Sequence, residues 1–493
     1  GEMLAHLPFV ISRNGSLSVL GSGTPEIYIN SRKVRDLGEL DRLRASEILS
    51  AEVITAPGPE YAADVPAVIR IRTLRQRGEG WSGSVNLGYN QGRWANGDQQ
   101  VALNFRTGGL DFFVKGYVSE KKRFSADAGF NCEVNEHHSF GVKYTPGGTL
   151  GTALQRSWGE TVTSCNGTEA ERADFVMRSC PRDGINHAVN AYYVGEAGRW
   201  TLDLNADYLD NRMKSSQYAE DGSGADISSV SDSESRLYAA RLQAGVKLGK
   251  GQLSFGSEGT LTERKDLFTQ SGFSADADNF IRQRAFAVFA GYSASWGKWR
   301  ANAGLRYEHR ATDYWDQGGR VEEQSPVYDE LIPTVSVSWS DRDLSLALAW
   351  KTMRTNPSYA LLTQYSYTTG NPGLEPSQAS ILSLNLAYKW LFAYVQYGRT
   401  RNLLTNITMP YNEETHPGIL LFTSANLAPG SSCIINLSAA PRIGVWQPQF
   451  SISGVYAAPD GRNLGIEVWR RQPLFNFGWD NSFTLPQGWF LNV

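Results

Sequence analysis

Six histidines, four cysteines and a scatter of carboxylates are the groups in this 493-residue sequence able to hold a metal, attack a substrate or form a crosslink. The densest cluster is EVNEHH at 133–138, where Glu133, Glu136, His137 and His138 supply the donor types of a zinc site. Adjacent side chains on a strand point to opposite faces, so His137 and His138 do not converge, and the stretch reads as a short turn. No histidine stands in a nucleophile–base arrangement, and no glycine-rich phosphate loop follows a strand and opens a helix. The sequence carries no catalytic constellation; no enzyme activity, cofactor or metal is expected. Cys165 and Cys180 lie in the polar stretch TSCNGTEAERADFVMRSCPRD and can close it as a disulfide loop of sixteen residues, which implies an oxidising compartment. Cys132 shares its strand face with Phe130 and Val134, and Cys433 with Ile435 and Leu437, so both read as apolar filler. With 47 basic against 50 acidic residues, nothing points to nucleic acid as partner.

The elements that carry these groups are strands. In RWTLDLNADYLD (199–210), Trp200, Leu202, Leu204, Ala206 and Tyr208 alternate with Thr201, Asp203, Asn205 and Asp207, giving one apolar and one polar face. The same period recurs from about residue 78 onward, at Val85–Tyr89, Leu344–Trp350 and Leu382–Tyr388. Tight turns at 108–111, 195–199, 249–252, 297–298, 340–343, 442–444 and 486–488 exchange with long polar loops. Those loops are expected near 146–186, 212–234, 266–280, 312–328, 354–378 and 405–418. Short connections at one end and long ones at the other are the mark of an up-and-down membrane barrel. No apolar run approaches the ~20 residues of a spanning helix.

Tryptophan placement separates a membrane barrel from a soluble sandwich. Trp81, Trp200, Trp296, Trp299, Trp339, Trp390, Trp446 and Trp489 lie beside short turns or at the first strand's start, each with the parity of its strand's apolar face. An aromatic girdle at one end of an outward apolar band suits a bilayer interface, so Leu202 and Leu204 are expected to face lipid and Asp203, Asn205 and Asp207 a polar lumen. The fold class expected is an all-β transmembrane antiparallel barrel. About eighteen strands are present, a nineteenth begins at GWFLNV, and closure is expected to be missing. On the long loops, Trp315, Tyr365 and Tyr367 are candidate substrate contacts.

Residues 1 to about 75 differ. EIYIN and AEVIT read as short buried strands, and DLGELDRLRASEI as a helix with Leu37, Leu40 and Leu43 on one side. Such an α+β unit cannot span a membrane, and directly before a wide barrel it is best explained as filling the lumen. Its arginines Arg32, Arg35, Arg70 and Arg72 are expected to meet lumenal carboxylates such as Asp203 and Asp207.

The segment resembles the second half of the plug domain of TonB-dependent outer-membrane receptors, in the Bacteroidetes-type version. The matching residues are Tyr28, Ile29 and Asn30; Glu52, Val53 and Ile54; Pro57, Gly58 and Tyr61; and Val68, Ile69, Ile71 and Thr73. Far downstream TGNPGLEPSQA, with Gly370, Asn371, Pro372, Leu374 and Pro376, is similar to that family's Gly-Asn-Pro-x-Leu-x-Pro loop, although these residue types also suit a rigid turn. The sequence departs from the family at Thr55, where an arginine is frequent, and at Ala67–Val68, where a Gly-Gly pair is frequent. The resemblance implies half a plug at 1–77 and, at 78–493, a barrel truncated before the last of twenty-two strands, in the outer membrane. It implies import of a scarce substrate (iron chelate, cobalamin, glycan or peptide) driven through the TonB complex by the proton gradient. An adhesin or assembly barrel without transport, or a barrel enzyme, are the alternatives.

Overall fold

The computed structural model describes residues 10–13, 16–19, 24–29, 32–34, 48–54, 57–62, 64–73, 79–91, 95–119, 123–149, 155–165, 168–221, 227–271, 276–362, 370–412, 414, 416–464, 472–484 and 490–492. Of the helix expected at 36–48, residues 36–47 lie outside them and Ile48 opens a strand instead. The amino-terminal part forms a four-stranded sheet in the order Arg32–Lys33, Glu26–Ile29, Val68–Thr73, Ile48–Ile54, with the central pair parallel. Ile27, Ile29, Ile69 and Ile71 share a buried cluster with Val10, Leu17 and Val19 of a small hairpin. On the other face Tyr28, Tyr61, Val65 and Val68 pack together, the two tyrosine rings edge to face at 5.4 Å.

Twenty-three strand segments, from Gly80–Gln91 to Phe490–Asn492, join in one closed barrel. Gly319–Arg320 is only a hairpin tip, so twenty-two segments of substance remain. Three of these described segments, Gln155–Cys165, Thr168–Asp183 and Leu403–Asn412, build hairpins that rise beyond the wall. Beneath them the flanking strands pair directly, His138–Thr149 with Asn186–Ala197 and Leu391–Arg401 with His416–Ala439. Nineteen strands make the wall itself. The missing closure is a correction: the three-residue strand Phe490–Asn492 sits between Leu474–Thr484 and Gly80–Gln91 and completes the ring. An unclosed edge in lipid would leave a column of peptide groups unbonded, so even a short strand that closes the ring is strongly favoured.

Parity holds through the wall. Leu204 pairs with Leu242 and both are exposed on the outer face, as are Phe286, Val288, Leu305, Leu348 and Leu384. On the inner face Asn205 donates to Asp203 at 2.6 Å and Asn190 to Asp207 at 2.7 Å. Trp81, Trp200, Trp296, Trp299 and Trp390 are exposed beside the short turns, and Trp296, Trp299 and Trp339 stand in register on three successive strands. Trp446 is half-buried and gives its indole N–H to Asn481, while Trp489 lies outside the described residues. The turns need left-handed residues, which Gly198 and Gly297 supply at φ near 60°.

The wall is uneven. Trp200–Asp221 and Ile227–Leu248 run 22 residues and Gly251–Gln270 and Ala277–Trp296 run 20. Across the closure, Leu474–Thr484, Gly80–Gln91, Ala95–Thr107 and Leu110–Ser119 run 11, 12, 13 and 10. The tall strands shorten the expected loops: 212–234 is strand to Asp221 and again from Ile227, and 312–328 is strand to Asp316.

The expected disulfide is also corrected. Cys180 is a free thiol, as are Cys132 and Cys433. In the hairpin Gln155–Cys165/Thr168–Asp183, Cys165 pairs with Thr168 at the tip. Cys180 is twelve residues down the same strand from Thr168, about 40 Å at 3.3 Å per residue. A disulfide needs Cα atoms within ~7 Å.

Candidate functional site

The segment Pro57–Ala67 leaves the end of Ile48–Ile54 and returns to Val68–Thr73, and its two ends are held by the central sheet. Prolines 57, 59 and 66 fix its course, and Pro57, Pro59, Tyr61 and Val65 are buried. This segment rests on the inner wall of the barrel. Arg241 donates to the Glu60 carbonyl at 2.7 Å, Lys351 to the Pro66 carbonyl at 2.7 Å, and Arg306 reaches the Pro59 carbonyl at 3.5 Å. The Arg241 guanidinium also lies over the Tyr61 and Phe289 rings, at 5.8 and 5.9 Å. Each of these cations has the inward parity of its strand, opposite to Leu242, Leu305 and Trp350.

Two carboxylates orient the central cation. Arg306, buried, donates to Glu308 at 2.5 Å and to Glu258 at 3.0 Å. Those bonds hold the guanidinium over the Phe289 ring, 5.8 Å from its centroid, and leave Nη1 for the segment. Burial pushes the Tyr61 phenol up to about 12, so it stays neutral beside Arg241. Close approach is built in at two wall glycines. A Cβ on Gly291 would lie 2.8 Å from Pro59 Cγ, and one on Gly304 would run into the same ring. Hydrogen bonds to charged donors contribute about 1.5–3 kcal/mol each. Three of them hold the segment firmly yet remain few enough to break together.

A branched side chain at Gly304 therefore tests the seat. Gly304→Val is expected to unseat the segment and to raise ion conductance in planar bilayers above that of the parent protein. Equal conductance of the two would count against the seat.

The family-motif residues divide. Tyr28, Ile29, Ile69 and Thr73 build the sheet, Glu52 faces Arg70 at 3.8 Å within it, and Pro57, Gly58 and Tyr61 belong to the seated segment. Asn30, Tyr365 and Tyr367 lie outside the described residues. Trp315 is not in a loop: it is the penultimate residue of the strand Trp299–Asp316, on the outer face, its ring tilted against Phe280 at 5.1 Å with Arg282 over it. Of the arginines expected to meet lumenal carboxylates, Arg35 lies outside the described residues. Arg70 stays within its own sheet, Asp203 and Asp207 accept from asparagines, and the docking cations belong to the barrel.

The Gly370–Pro376 stretch is a folded latch. Asn371 donates to the Ser424 carbonyl at 2.9 Å and accepts from the Gly373 N–H at 3.1 Å, and Asn426 both accepts from and donates to the Glu375 backbone. Leu374 is buried against Ile281, Tyr314 and Leu362. At EVNEHH, His138 bonds the Tyr193 hydroxyl at 2.8 Å, and no metal-holding group of side chains occurs among the described residues. Arg241, Arg306 and Lys351 are the residues that sequence reasoning missed.

Solved structures that share this architecture include two transporters and an outer-membrane receptor. The copper transporter OprC superposes with a TM-score of 0.65 at 12% identity, covering 98% of this chain and 82% of its own. The ferric citrate transporter FecA gives 0.60 at 13%, with 100% and 80% covered. The alcaligin outer-membrane receptor FauA of Bordetella pertussis gives 0.56 at 13%, with 98% and 81% covered. No curated protein matches by sequence. The model of the outer membrane protein beta-barrel family matches residues 197–493, more than half the chain. With its wall closed, its apolar band outward and its fold that of TonB-dependent receptors, the chain belongs to the outer membrane protein β-barrel family and resides in the outer membrane.

Proposed function

We propose that this chain is an importer in which residues 1–77 act as plug and 78–493 as barrel, admitting a scarce substrate when the TonB complex, powered by the proton gradient, pulls on the plug. The observation that carries this reading is the seat: barrel cations Arg241, Arg306 and Lys351 grip backbone carbonyls of the 59–66 segment. Contacts to backbone oxygens hold a segment without fixing its side chains, which suits a part that must let go and return. Transporters of copper and ferric citrate share the fold, and an iron chelate, cobalamin, a glycan or a peptide fits the same scheme. The protein acts by binding and release, not by catalysis.

In cells carrying the full-length protein, collapsing the proton gradient or deleting TonB is expected to abolish accumulation while leaving surface binding intact. Uptake that persists without TonB would make the protein a passive channel. Binding with no uptake under any condition would make it an adhesin.

A further inference from the structure

Above the seat the lumen holds a small pocket of about 30 Å³. Gln283, Arg310, Tyr328 and Asn356 line it, and Leu374 and Pro376 of the latch close its outer side. Beside it Arg354 is fully buried, its guanidinium 5.0 Å from the Tyr328 ring centroid and its Nη1 3.1 Å from Glu330 Oε2. None of the three Arg354 nitrogens makes a hydrogen bond, and neither does Glu330 Oε2. Arg310 gives Nη1 to Gln283 at 3.2 Å, but its Nε has no partner. It is also close enough to Arg354 for the two charges to repel. Of the other carboxylates nearby, Glu258 and Glu308 are taken by Arg306, Asp64 acts on Arg310 and Glu375 acts on Tyr328. Hydrogen-bond donors are thus in surplus at Arg354, whose ion-pair partner is Glu330.

A buried charge without hydrogen bonds is costly, and a chain that keeps one in a lumen has a use for it. We propose that the chamber recognises a carboxylate group on the transported molecule, received by Arg354 with Arg310 beside it. The planar guanidinium fork offers two parallel N–H bonds to a carboxylate, and stacking on Tyr328 fixes its plane. The carboxylate supplies the missing acceptors. Because Leu374 and Pro376 cover the chamber, the latch at Asn371 and Asn426 must open first. This assignment rests on the import reading, but it is tested by equilibrium binding, which needs neither TonB nor a gradient.

The full-length protein in detergent is titrated calorimetrically with succinate, succinamide and inorganic phosphate. Succinate is expected to bind at least about tenfold more tightly than the neutral diamide, a difference of ~1.4 kcal/mol. The Arg354→Gln/Glu330→Gln double variant, which leaves no unpaired charge if Arg354→Gln alone fails to fold, is expected to lose that preference. Asn426→Ala is expected to speed association. Succinamide binding as well as succinate, no succinate binding at millimolar concentration, or an unchanged double variant would overturn the proposal. Phosphate binding as tightly as succinate would also overturn it, assigning the chamber to a free inorganic anion. Loss of gradient-dependent uptake with succinate binding intact would instead strike the import reading alone.

Discussion

Arg306→Met is expected to destabilise the folded protein by about 3–5 kcal/mol, because it leaves Glu308 and Glu258 facing each other without their shared cation. Removing one member of a buried ionic group is far more damaging than removing the whole group, since the remaining charges keep their desolvation penalty and lose the attraction that offset it. The triple variant Arg306→Met/Glu258→Gln/Glu308→Gln is therefore expected to recover most of the loss. It should also lose the contact to the Pro59 carbonyl, so the two effects separate: stability returns while the seat stays weakened. Urea unfolding in lipid vesicles measures the first, and bilayer conductance the second. A triple variant no more stable than Arg306→Met would mean that the carboxylates are held by other partners.

The second large effect is asymmetric across one strand. Leu204→Arg, on the outer face between the tryptophan rim and the charged outer end of Trp200–Asp221, is expected to cost about 2–4 kcal/mol. The next residue points into the lumen, where Asn205 bonds Asp203, so Asn205→Arg replaces one polar side chain by another beside carboxylates. Its effect is expected to be within about 1 kcal/mol. Folding of both variants into vesicles decides the matter, and equal penalties would remove the basis for assigning the lipid face.

What could be read in the sequence is what lipid writes into it. Between Trp200 and Tyr208 one face meets hydrocarbon and the other water, so alternation is imposed residue by residue, and the wall strands and their number follow from it. Past Asp210 both faces are wet. The ladder goes on to Asp221, but nothing constrains parity, and the stretch looks like a loop. The same cause misplaced Trp315 and made a loop of the Cys165–Cys180 hairpin, whose strands are polar on both sides. The seat was hidden for another reason. Its acceptors are the carbonyls of Pro59, Glu60 and Pro66, which every residue possesses, and its donors lie 181 to 285 positions away. The prolines around Tyr61 marked the segment as shaped, but no side-chain pattern told what it was shaped to meet.

The unequal strand lengths make the mouth of the barrel an oblique cut. A 22-residue strand tilted near 40° rises about 55 Å, and one of 11 residues about 28 Å, barely the apolar thickness. The parapet from Trp200 to Trp296, four of the nineteen wall strands, screens one arc of the horizon, while the strands from Leu474 round to Ser119 form a low sill. Capture is then directional. A particle descending from the bulk meets the parapet, whereas one wandering over the bilayer arrives at the sill, having exchanged a three-dimensional search for a two-dimensional one. For a molecule that adheres weakly to the cell surface, the encounter rate is set by the arc of that sill rather than by the bore of the barrel.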